Sequence, residues 1–350
     1  MLYVHQYPDW THFRYDSHAV MNALGVARRT QGRLIGLAEV CGIGELEAEI
    51  IAKEIVASFA IDDQELNLSD IRDDVEKRSK ASRNFVINSL GAVQNANTAL
   101  TTERIFNWHG ALSKKNPFRF RTIDNALKRI ASTQKNDSKN SSLSQELNFV
   151  GPHHESLPKL VENFLSWFET APLDGMVKAA IAQFWFLTLR PFEEANGRIA
   201  RMISGMQLIR SSDFGKYLYS VNSEILKHRD EYFNILNKAQ RSSGDITEWI
   251  LWFLQMLQSA MEDTLQSLAA KASQIQFKQR FAQVALDIRE QMLVDAAMNG
   301  KLPEQFSAKD VAAIIEASHD TALRLIQGLI AKGVFKAAAK GGRSQKYCLV

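Results

Sequence analysis

The chain has 350 residues, 45% hydrophobic and 23% charged, with a formal net charge of +3. This excludes a low-complexity or polycationic chain and fits a globular protein of two or three domains with a sizeable core. Two distant cysteines, Cys41 and Cys348, exclude a disulfide framework and point to a reduced, cytoplasmic setting; no apolar run of about eighteen residues or signal-like start argues for a membrane.

Residues 1–15 are rich in aromatics (Tyr3, Tyr7, Trp10, Phe13 and Tyr15), the density of a core or a domain face. Asp16 or Ser17 caps a helical pattern that runs to about Val40 and breaks at Gly42-Ile43-Gly44. A second helix follows from Glu45 to about Ala60, with Leu46, Ile50, Ile51 and Ile55 on its apolar stripe. Its last residues, Ser58-Phe59-Ala60-Ile61-Asp62-Asp63, read by themselves as a helix end or turn. Ser69 is the expected cap of a short helix, Asp70 to about Arg78, and two or three more helices reach Leu112. His109 among them reads as a core or surface histidine rather than a ligand.

Phe118 and Phe120 alternate with Arg119 and Arg121, and Leu147 and Phe149 flank Asn148, as in two brief strands. Between them residues 131–144 are polar and read as a loop. His153 and His154 fall in a further loop, and nothing in the sequence brings them to a site. Helices resume at about Pro158–Phe168 and Met176–Leu189.

The most informative stretch is Arg190-Pro191-Phe192-Glu193-Glu194-Ala195-Asn196-Gly197-Arg198-Ile199-Ala200-Arg201. An apolar run leads into a turn and a new helical pattern, so helix, tight loop, helix is the expected reading. Asn196 and Gly197 then stand at the N-terminus of the second helix, where unpaired N–H groups and the helix dipole favour an anion. Arg198 and Arg201, three apart, share a face and suit an oligophosphate. Glu194 is a hard oxygen ligand suited to Mg²⁺.

Beyond the motif, helical patterns cover Ile199–Arg210, Ile225–Ala239 and Ile246 to about Leu293, the last long enough to require a break. Met298-Asn299-Gly300-Lys301-Leu302-Pro303 reads as a boundary. After it come a helix Ala308–Ile315, a helix His319–Lys332 capped by Ser318, and two short strands, Val334–Lys336 and Lys346–Leu349, around Gly341-Gly342. Residues 301–350 hold eight Lys and Arg against four acids, which favours an anionic partner there.

The twelve-residue motif resembles the signature of the Fic (Fido-fold) family, whose members typically transfer AMP from ATP to a hydroxyl of a target protein. The resemblance implies a mainly α Fido-fold helical bundle with an N-terminal helical extension. It implies ATP as substrate or ligand, with Mg²⁺ on Glu194, phosphates on Asn196, Gly197 and Arg198, and the terminal phosphate on Arg201. Phe192 would anchor the loop, and Tyr232-Phe233 matches a Tyr-Tyr pair lining the family's adenine pocket. The family's catalytic histidine is replaced by Arg190, a guanidinium that stays protonated and cannot accept a hydroxyl proton. General-base help is worth about a hundred- to ten-thousand-fold, so catalysis is expected to be impaired. Ser58 and Asp62 resemble the Ser/Thr-x-x-x-Glu of the family's inhibitory helix, with an aspartate one methylene short for Arg201. Residues 118–149 fall where the family has a target-docking flap.

The C-terminal order resembles a winged helix-turn-helix, which implies His319, Thr321 and Arg324 on a recognition helix and Arg343 and Lys346 on a wing, for DNA or for a protein partner. The expected domains are 1–95 (N-terminal, with a degenerate inhibitory helix), 96–260 (Fic core), 261–300 (linking helix) and 301–350 (winged helix). Three functions remain open: an AMP transferase, a non-catalytic nucleotide sensor, and a DNA-binding regulator. The target protein is open, and a homodimer is one reading of the oligomeric state.

Overall fold

The structure, a computed structural model, describes residues 2–77, 83–113, 115, 117–124, 126–127, 149–212, 214–281, 283–338 and 345–350. They gather in two compact units, 1–268 and 269–350. The N-terminal part of the first unit holds α1 (Ser17–Cys41), α2 (Gly44–Ile61), α3 (Leu68–Lys77), α4 (Asn84–Gln94) and α5 (Thr102–Leu112). A two-stranded antiparallel hairpin follows, β1 (Ala126–Leu127) with β2 (Phe149–Val150), in the register Ala126↔Val150 and Leu127↔Phe149. Then come α6 (Leu157–Thr170), α7 (Gly175–Leu189), α8 (Asn196–Arg210), α9 (Val221–Lys227), α10 (Arg229–Gln240) and α11 (Thr247–Arg280), the last running on past the unit boundary.

Hydrophobic pattern explains the layering. Helix α6 buries Leu157, Val161, Phe164 and Phe168, one stripe at helical spacing, and leaves its other face to solvent. Helix α7 is buried nearly all round, so it lies at the centre, packed against α8. Asp174 caps α7 by accepting from the Met176 N–H at 2.8 Å, and its other oxygen accepts from Arg28 Nη2 at 2.7 Å, which ties α1 to the central layer. One apolar cluster joins α1, α7, α10 and α11 around Phe184, Tyr232 and Trp249; a second surrounds Phe164, Trp185, Phe192 and Ile199. A third lies between α2, α3 and α4, around Ile51, Phe59, Ile71 and Leu90. Through it α2 reaches the central layer and packs on α8 and α9.

The second unit holds α12 (Ile288–Met298), α13 (Ala308–Ile315), α14 (His319–Ala331), β3 (Phe335–Ala337) and β4 (Tyr347–Leu349), around Leu293, Phe306, Val311, Ile326 and Phe335. The strands are antiparallel, Phe335↔Leu349 to Ala337↔Tyr347. Ser307 and Asp310 form a capping box on α13, and Ser318 accepts from the Thr321 N–H to cap α14. Arg343 and the turn expected at Gly341-Gly342 lie outside the described residues, as do residues 131–144 and Leu147.

Three boundaries differ from the sequence reading, and the break required in the long pattern from Ile246 is located. The cap of α3 is Asn67, whose Oδ1 accepts from the Ser69 and Asp70 N–H groups, so the helix starts before Ser69. The pattern at 225–239 divides at His228 into α9 and α10, and α9 begins already at Val221. The long pattern from Ile246 breaks after Arg280, and Asp287 with Glu290 starts α12 by a new capping box. No strand forms at 118–121: Phe118 turns at φ 63° and is 58% exposed, and pairing begins at Ala126. Among the described residues no helix is long and apolar enough to cross a membrane.

Candidate functional site

The loop between α7 and α8 is held by its own side chains. Phe192 is fully buried and stacks on the His109 ring at 4.0 Å and 8°. Asn196 Oδ1 accepts from the Phe192 N–H at 3.0 Å, and its Nδ2 donates to the Phe192 carbonyl at 2.8 Å. The amide thus closes the loop as a backbone pair would, with both groups buried. Two non-glycine residues, Arg190 (φ 45°) and Ala195 (φ 63°), turn left-handed at the ends of the loop. Such a conformation costs about 1–2 kcal/mol each, and the buried Phe192 and Asn196 hold it. Arg121 braces the start: its N–H donates to the Pro191 carbonyl at 2.9 Å and its Nε to the Arg190 carbonyl at 2.9 Å.

Helix α8 therefore opens at Asn196, and its first turn faces the end of α2. Asp62 Oδ2 lies 3.0 Å from Arg201 Nη2 and 3.6 Å from Arg198 Nε. Arg201 also donates from Nε to Ser58 Oγ at 2.9 Å and from Nη2 to the Ser58 carbonyl at 2.6 Å. The shorter aspartate does reach the second arginine. Arg198 donates from Nη1 to Gln64 Oε1 at 3.1 Å and lies over the Phe59 ring at 4.8 Å. Burial presses the Arg198 guanidinium below its ordinary pKa, Asp62 opposes that, and Arg201 adds to it.

Gly197 explains how close this contact is. A Cβ there would lie 3.1 Å from Arg201 Nη1 and 3.2 Å from Asp62 Oδ1, so a side chain would crowd both. Asp62 thus stands as the anion at the α8 N-terminus, between two guanidinium forks.

A cavity of about 360 Å³ opens on this contact. Arg190, Glu193, Glu194, Gly197, Asp62 and Asp63 line one part, and Phe149, Leu187, Tyr232, Phe233 and Leu236 another. Glu194 accepts from Ser113 Oγ, and its other oxygen lies 3.7 Å from Lys115 Nζ. A half-exposed carboxylate beside an anion seat matches how Mg²⁺ is held, by one or two carboxylates plus phosphate and water. Tyr232 is 1% exposed, packed against Phe233, Trp249 and Trp252.

Residues 99–208 match the Fic/DOC family, and residues 3–80 match a domain of unknown function, DUF4172. Over residues 99–208 the chain is similar to a Fic/DOC domain. Its fold is similar to the crystal structure of a Fic family protein from Desulfovibrio desulfuricans. The two are 18% identical, with a TM-score of 0.59 over 96% of this chain and 97% of that one. It is also similar to a Fic domain containing signaling protein from Bacteroides thetaiotaomicron, 14% identical, TM-score 0.51, over 70% of this chain and 98% of that one. At these identities the likeness speaks for the fold, a helical Fido fold, and for no activity.

The structure brings Ser58, Asp62, Arg190, Glu194, Asn196, Gly197, Arg198, Arg201 and Tyr232 of the first unit into this one region. His319 and Arg324 of the second unit are exposed, and Thr321 and Lys346 are half-buried.

Several contributors escaped the sequence reading. Gln64 follows the helix end and carries no motif. Arg229 donates from Nε to the Ile61 carbonyl at 2.9 Å and pairs with Asp63 at 2.6 Å, so it fixes the C-terminus of α2 from a distance of 168 residues. Glu54, two turns before Asp62 on α2, is buried and accepts from the Asn222 N–H at 2.9 Å and Ser220 Oγ at 2.8 Å. Its spacing with Ser58 and Asp62, four and eight residues, was the available signal. His109 is 1% exposed behind Phe192, and burial, reinforced by Arg198, holds its pKa below the ordinary value. It is not accessible to a substrate.

Proposed function

We propose that this Fic domain binds Mg-ATP at the α7–α8 loop and has little or no AMP transfer activity, with α2 competing for the phosphate seat. The observation that carries the reading is Asp62, a carboxylate placed as an anion between Arg198 and Arg201 at the edge of the cavity. In this reading the terminal phosphate takes the place of Asp62. Backbone N–H groups at Gly197 and Arg198 meet the inner phosphates, and the adenine goes toward Tyr232 and Phe233. Glu194 would hold Mg²⁺, which neutralises charge on the phosphates when bound.

Transfer would join a target hydroxyl oxygen to the α-phosphorus, break the bond to the β-phosphate oxygen and release pyrophosphate. The hydroxyl proton needs an acceptor. Arg190, where the family's histidine would stand, donates only. Titration calorimetry of Mg-ATP against the full chain tests the reading. Binding is expected, with at least tenfold weakening in Arg198→Ala; no saturable heat in the native chain and in Asp62→Ala overturns it.

A second reading, a regulator acting on duplex DNA through the C-terminal unit, draws on the exposure of His319 and Arg324 along α14. It requires binding at low salt that weakens in Arg324→Ala and Lys346→Ala. Unchanged or absent binding ends it.

A further inference from the structure

Outside the cavity, one cluster among the described residues has the donors of a metal centre. Asp124, His153 and His154 bring a carboxylate oxygen and two imidazole nitrogens within 4.8 Å of one another. His154 Nδ1 lies 3.1 Å from Asp124 Oδ1, and His153 Nε2 lies 3.5 Å from Asp124 Oδ2. Metal–donor lengths of about 2.0–2.2 Å place neighbouring donors of a tetrahedral zinc site about 3.3–3.5 Å apart. Each imidazole is close to that spacing from its own Asp124 oxygen, and the three donors together lie within 4.8 Å.

Its carboxylate is already oriented. Asp124 Oδ1 accepts from the His154 backbone N–H at 2.8 Å and from Arg121 Nη1 at 3.1 Å, and Oδ2 faces His153. Bonds of this kind to a ligating carboxylate are the usual supporting contacts of a metal site. All three side chains have solvent access, His154 least at 28%, which leaves an entry path and room for water as a fourth ligand.

We propose that Asp124, His153 and His154 form a binding site for a zinc-class divalent cation. Two imidazoles and one carboxylate select Zn²⁺ or Co²⁺ over Mg²⁺ and Ca²⁺, which take oxygen ligands. The site stands at the foot of the β1–β2 hairpin, Asp124 just before β1 and the histidines just after β2. A bound ion would clip the two ends of that segment together. Arg121 links it to the loop, since the same guanidinium serves Asp124, the Pro152 carbonyl and the Arg190 carbonyl. Gly151 makes that closeness possible, because a Cβ there would lie 3.2 Å from the Leu189 carbonyl and 3.4 Å from Arg190 Cβ.

The test is Co²⁺ titration of the untagged full chain at pH 7.5, followed by visible absorption, with Zn²⁺ displacing it. The expected result is one saturable equivalent, with affinity falling at least tenfold in His154→Ala and in Asp124→Asn. Glu248→Gln, an exposed carboxylate on α11, is expected to bind as the native chain does. Thermal melts report whether each variant folds, and His153→Ala, which removes the most exposed ligand, serves as the variant least able to disturb the fold. Absence of saturable binding overturns the proposal, as does an affinity unchanged by His153→Ala combined with His154→Ala. The readout involves no nucleotide, so it stands or falls apart from the phosphate reading.

Discussion

Replacing Asp62 with alanine should weaken the fold and strengthen phosphate binding together. The Arg201 side chain is 1% exposed, so loss of the carboxylate leaves a buried cation with Ser58 Oγ and the Ser58 carbonyl as its remaining partners. A hydrogen bond to a charged group contributes about 1.5–3 kcal/mol. Asp62 is 24% exposed, which places this one toward the lower end. We expect Asp62→Ala to lose about 1.5 kcal/mol of unfolding free energy, seen as a lower urea midpoint with an unchanged slope. The same quantity acts with opposite sign on an incoming phosphate, which no longer has to displace the carboxylate. Affinity for Mg-ATP should rise about tenfold, since about 1.4 kcal/mol is a factor of ten. Paired urea melts and calorimetry measure both. If stability drops as expected while ATP affinity stays within twofold, Asp62 does not compete for the seat and the reasoning is refuted.

Three further outcomes follow from named contacts. Restoring the missing acceptor in Arg190→His should raise AMP transfer from labelled ATP, including self-modification, by about a hundredfold or more over the native chain; equal labelling in both would show that another group already serves as base. Burial pushes the Glu54 carboxyl up from 4.5 to about 7, against hydrogen bonds from Asn222 and Ser220 and the charge of Arg201. Between pH 4.5 and 7 the folded chain keeps a proton that the unfolded chain has released, so stability falls as pH rises through that window. The fall amounts to about 3 kcal/mol by pH 8 and should vanish in Glu54→Gln, as urea melts at pH 5 and 8 would report. Asn196→Ala should cost about 2–3 kcal/mol, because it leaves the Phe192 N–H and carbonyl buried without their partner; a thermal shift under about 2 °C would contradict the role given to that amide.

The helices were legible because their signals are local. Asp16 and Ser318 cap where capping chemistry allows, and α7 announces its central place by being apolar all round. The loop at 190–201 was legible because a turn, an Asn-Gly and two arginines at helical spacing leave few alternatives. What surrounds it was not, because those contacts join residues far apart in sequence. Arg229 reaches the end of α2, Arg121 reaches Arg190, and Glu54 is buried against Asn222. Each is an ordinary charged residue in an ordinary helix or turn until the fold brings its partner. The strand expected at Phe118–Arg121 failed for a related reason: Phe118 turns left-handed while Arg121 is drawn under the loop.

Arg121 acts as a keystone. One planar group with five donors serves carbonyls at Ile123, Pro152 and Arg190 and the carboxylate of Asp124. A lysine, with three donors on a single nitrogen, could not span them, so even that conservative exchange would let the motif sag. A fragment beginning after the hairpin would retain every letter of the signature and lose its shape.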